Sequence, residues 1–66
     1  MSELENLIEK LLEQRDFYLS TLKQLEFQRV MEPTENELKE IEKLQTTTVD
    51  QLKKVEQEIA YLTSQK

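Results

Sequence analysis

The chain has 66 residues, with 9 Lys plus Arg against 14 Asp plus Glu, a formal net charge of −5, and no His, Cys, Trp or Gly. One small domain is the ceiling at this length, and such a chain buries only about 60% of its unfolded surface. Without His or Cys there is no imidazole or thiol catalysis, no zinc site and no disulfide, and without Gly no phosphate-cradling loop.

In chain order, the first signal is Ser2-Glu3-Leu4-Glu5, a capping-box pattern. In such a box the Ser hydroxyl accepts a free backbone N–H and the Glu carboxylate reaches back to the Ser amide. From there Leu4, Ile8, Leu11, Arg15, Tyr18, Leu22, Leu25 and Arg29 alternate at spacings of four and three. That repeat of about 3.5 residues lays one stripe along a helix, the seam of a coiled coil, and predicts a helix over residues 3–31. A turn follows at residues 31–34. Pro33 pushes the residue before it out of helical geometry, and Thr34-Glu35-Asn36-Glu37 repeats the capping box. The second helix, residues 35–64, carries Leu38, Ile41, Gln45, Thr48, Leu52, Val55, Ile59 and Leu62 at the same spacings. Acidic residues in the first turn of both helices suit the positive end of the helix dipole. Alternation at period two, the mark of β structure, appears nowhere at length.

Two helices of nearly equal length joined by about four residues must fold back antiparallel, so the predicted fold is all-α, one helical hairpin over residues 1–66. With the turn centred near residue 33, facing residues have numbers that sum to about 66 or 67. Leu4 then meets Leu62, Ile8 meets Ile59, Leu11 meets Val55, Arg15 meets Leu52, Tyr18 meets Thr48 and Leu22 meets Gln45.

The apolar pattern is wider than one seam. Labelling Ile8 and Leu38 as heptad a positions puts Leu7 and Leu44 at g, and Leu12, Leu19 and Val49 at e. Apolar residues beside an a/d seam mark helices with two neighbours, as in a four-helix bundle. Leu7, Leu12, Leu19, Leu44 and Val49 are therefore the expected association face, filled by a second copy in a homodimeric four-helix bundle or by the helices of a different protein. Arg15, Gln45 and Thr48 interrupt the seam. Either Arg15 lays its methylenes on the core and sends its guanidinium towards Asp16 or Glu13, or the three form a polar layer that sets register. The run Thr46-Thr47-Thr48 weakens helix propensity and invites a local bend. Phe17, Phe27, Met31 and Tyr61 lie outside the seam, as a possible outer partner patch or as further packing in the dimer.

No chemistry is readable. None of the acidic residues falls on a seam position, so no carboxylate-bridged metal site forms in a bundle core, and Ser20, Thr21 and Ser64 lack a base to activate them. The expectation is no enzyme, no cofactor, no metal and no small-molecule substrate. Residues 1–31 carry 4 basic and 6 acidic side chains, and residues 32–66 carry 5 and 8. The densest basic pair, Lys53-Lys54, sits among Asp50, Glu56 and Glu58, which argues against a phosphate-backbone partner. No apolar run approaches the roughly 20 residues of a membrane span, and MSELENLIEK lacks a signal-peptide pattern. A cytoplasmic protein with a protein partner is expected.

The hairpin design and length resemble those of the Rop family of plasmid-encoded hairpins, which dimerise into four-helix bundles and bind paired RNA loops. The ungrouped basic residues here depart from that RNA role, so this resemblance implies shape. Length, acidic character and the opening Met1-Ser2-Glu3-Leu4-Glu5 also look like the small hairpin co-chaperones of type III secretion needle subunits. The functional expectation is a non-enzymatic coiled-coil assembly module acting as a homodimer. The alternative is a small chaperone-like or regulatory adaptor that binds a partner's helices, and behind it a Rop-like nucleic-acid regulator.

Overall fold

The computed structural model describes residues 2–65 and contains two helices, α1 (Glu3–Arg29) and α2 (Glu35–Thr63), packed against each other as a hairpin. The radius of gyration is 15.2 Å, against about 11 Å for a globular chain of this length. The molecule is a flat rod of 48 × 17 × 12 Å.

Local chemistry sets both starts. Ser2 Oγ accepts the Glu5 N–H at 3.1 Å, one half of the expected box. At Thr34 the box is complete: Thr34 Oγ1 accepts the Glu37 N–H at 3.2 Å, and Glu37 Oε1 accepts the Thr34 N–H at 3.3 Å. Two free backbone donors are satisfied there at once.

Helix α1 stops at Arg29, short of residue 31. The N–H groups of Val30 and Met31 bond to the carbonyls of Phe27 and Gln28, tightening the last turn. Glu32 then takes the left-handed conformation at φ 55°. In a chain with no glycine, a side chain with a Cβ has to make this reversal, at a cost of about 1–2 kcal/mol. Helix α2 ends at Thr63, one residue before the expected 64; there the N–H of Ser64 bonds to the Ala60 carbonyl. The threonine run does not break it. Thr46 Oγ1 donates to the Glu42 carbonyl one turn back, and the helix is continuous through Thr48.

The core is the seam. Ile8, Leu11, Leu25, Ile41 and Val55 are buried at 5–8% exposure, joined by Thr48, the buried polar residue. Among the described residues no large side chain is fully buried. Two helices enclose a line of contacts, not a volume.

Candidate helix-docking surfaces

The seam is rotated. At the d positions Leu11, Leu25, Ile41, Thr48 and Val55 are buried while Tyr18 and the terminal Leu4 and Leu62 are half-buried; at the a positions Ile8 is buried, Arg15, Leu22, Leu38, Gln45, Leu52 and Ile59 are half-buried and Arg29 is exposed. The d side chains point squarely at the facing helix, and the a side chains lean towards one open flank of the hairpin.

In an antiparallel pair the e positions of both helices share one flank and the g positions share the other. The five residues expected to form a single association face therefore divide between two. Leu12, Leu19 and Val49 lie on the a/e flank. Leu12 and Val49 are half-buried and Leu19 is 45% exposed. Leu19 and Leu22 line one depression with Asp16 and Glu26, and Leu22 and Val49 line the next with Gln45 and Lys53. With Leu52 and Ile59 they make an aliphatic strip along the middle of the rod, bordered by charged side chains. Leu7 and Leu44, at 46% and 53% exposure, lie on the opposite c/g flank. The shared Leu22, Gln45 and Val49 depression is what the register of facing numbers near 67 requires.

The polar seam residues part company. Arg15 is half-buried, and its Nε is buried without a hydrogen-bond partner; neither Asp16 nor Glu13 pairs with it among the described residues. Gln45 is engaged instead by Arg29, whose Nη1 donates to Gln45 Oε1 at 3.3 Å while Nη2 lies 3.6 Å from Glu42 Oε1. This cluster closes the turn end of the a/e flank. Register alone does not suggest it, because Arg29 stands across from Leu38. Helical side chains tilt towards their own N-terminus, so Arg29 reaches back from the turn while Gln45 reaches towards it, and the two meet between their levels. Thr48 is a packing residue at the level of Tyr18, whose ring meets that of Phe17 edge-on at 5.8 Å.

The outer residues are also separable. Phe17, Phe27, Met31 and Tyr61 are each about two-thirds exposed; Phe17 and Tyr61 are at c positions, Phe27 is at f on the back of α1, and Met31 follows the end of that helix. Phe27 and Met31 come together with Pro33, Ile41 and Leu44 in one shallow groove beside the turn, with Glu32, Glu37 and Glu40 among its lining. Phe17 and Tyr61 do not belong to it; Tyr61 lines a separate depression with Lys54, Gln57 and Glu58. Leu44 is thus a groove residue at the turn end. Among the described residues no three acidic side chains converge to hold a metal ion, and no helix is long and apolar enough to cross a membrane. The chain matches no protein-family model, no curated protein and no solved structure.

Proposed function

We propose that this chain is a non-enzymatic assembly module that works by helix packing, and that two copies pair through the Leu12–Leu19–Val49 flank into a four-helix bundle. The observation that carries the reading is the burial asymmetry across the seam: five of the eight d positions are buried but only Ile8 among the a positions, and aliphatic side chains stay open on the a/e flank. An aliphatic strip with a charged border on a pair of helices is the surface that a second pair covers in a four-helix bundle.

Size supports a second copy. The full face of 48 × 17 Å amounts to about 800 Å², the area each partner contributes to a standard interface, and the aliphatic strip, roughly 21 Å long, occupies the middle of it. The strip runs from Ile8 to Leu22 on α1 and from Val49 to Ile59 on α2, centred on the middle of the rod. A second hairpin therefore covers it whether the two run parallel or antiparallel. The test is thermal unfolding followed by helicity over a wide dilution series. A homodimer melts at a temperature that falls on dilution, because association stabilises the folded state by mass action. A melting temperature independent of concentration overturns the reading.

A further inference from the structure

The turn-end groove lies on the flank that the proposed dimer leaves open, and its chemistry differs from that of the a/e strip. Its floor is apolar, made by Phe27, Met31, Pro33, Ile41 and Leu44, and its volume is about 430 Å³. Phe27 and Met31 are 66% and 65% exposed, too far out to serve the hairpin's own core. The charged residues lining it, Glu32, Glu37 and Glu40, are all acidic.

We infer that this groove docks a cationic amphipathic helix from another protein, with apolar anchors on Phe27, Met31 and Leu44 and Lys or Arg side chains against the three carboxylates. Charge selects this occupant over a second copy. A symmetric contact between two such grooves sets carboxylate against carboxylate in a chain that already carries −5. Backbone chemistry selects a helix over an extended strand. Apart from the turn residues Met31–Pro33, the groove is walled by the two helices, whose main-chain groups are paired, so an occupant lying along them must satisfy its own main chain. Glu37 is fixed at the groove wall by the α2 cap, where its Oε1 accepts the Thr34 N–H and hydroxyl.

The test is fluorescence-detected binding of a labelled, amidated Leu/Lys amphipathic helical peptide to the full chain, with a Leu/Glu peptide of the same pattern as control. The wild-type chain is expected to bind the Leu/Lys peptide and not the Leu/Glu peptide. Affinity should fall at least about tenfold when salt rises from about 0.1 M to about 1 M, as the Debye length shrinks from roughly 10 to roughly 3 Å. Phe27→Ala should weaken binding about tenfold through the lost anchor, and Glu40→Lys by a similar factor through the reversed charge. Glu13→Lys makes the same change in net charge away from the groove and should leave affinity within about twofold of wild type. If Phe27→Ala lowers helicity, Met31→Ser, outside both helices, reports on the same anchor. Equal weakening by Glu13→Lys and Glu40→Lys, no effect of either anchor substitution, or no binding to the wild-type chain overturns the inference. Each outcome is independent of dimerisation, which the dilution series reads separately.

Discussion

Leu19 and Leu44 are chemically identical, similarly exposed and placed on opposite flanks, so replacing each by Ala separates the two surfaces. Leu19 is 45% exposed in the hairpin and Leu44 is 53% exposed. Fully burying a Leu side chain contributes about 1.5–3 kcal/mol. Covering the remaining fraction of Leu19 is therefore worth about 0.7–1.4 kcal/mol per chain. A symmetric dimer covers two copies, which gives about 1.4–2.7 kcal/mol, or roughly tenfold to a hundredfold in the dimer dissociation constant. Ala retains its Cβ, so the lower part of that range applies. Sedimentation equilibrium of Leu19→Ala should show a dissociation constant raised at least about tenfold, with the helicity of the undiluted protein unchanged. Leu44→Ala, on the uncovered flank, should shift it by less than about twofold. If Leu44→Ala weakens association as much as Leu19→Ala, or if Leu19→Ala does nothing, the assignment of the a/e flank is refuted.

Three further outcomes follow from the seam and its ends. Leu25, 5% exposed, should cost about 2–5 kcal/mol when changed to Ala, and denaturant unfolding should show most of the chain's cooperative helicity lost at concentrations where the wild type is folded. Thr34→Ala removes the hydroxyl that accepts the Glu37 N–H while keeping the backbone N–H that donates to Glu37, and the unfolding midpoint should drop by the equivalent of about 1 kcal/mol. Arg15→Met removes a buried Nε that has no partner while keeping an unbranched side chain, so stability should rise by up to about 1 kcal/mol. A loss of stability on that change would mean the guanidinium has a partner in the assembled protein.

Much of the fold was legible because two constraints act on short range. The four-and-three spacing forces Ile8, Leu11 and Leu25 to one side of α1, and Ile41, Thr48 and Val55 to one side of α2. Pro33 and Thr34 mark where one helix must stop and the next can be capped. Less was legible where the answer depends on how the helices roll against each other. Periodicity puts Leu19 and Leu44 beside the seam. Their e and g labels in an antiparallel pair put them on opposite flanks; what periodicity does not give is the roll of the helices, which decides how far each flank stays open and what surrounds each leucine. The Arg29 contacts with Gln45 and Glu42 were hidden because numbered register pairs backbone positions, whereas two long side chains meet a turn away from their own levels. The left-handed turn at Glu32 was hidden for another reason: the residue type that usually announces such a conformation is missing from the chain.

The most direct measurement is the solution mass of the wild-type chain by sedimentation equilibrium across a dilution series, with helicity recorded on the same samples. Two chains are expected at high concentration, dissociating on dilution with a parallel loss of helicity, because the open aliphatic strip is completed by its copy. A fully helical species of one chain at every concentration would contradict this expectation, since the hairpin would then be stable with that strip in water.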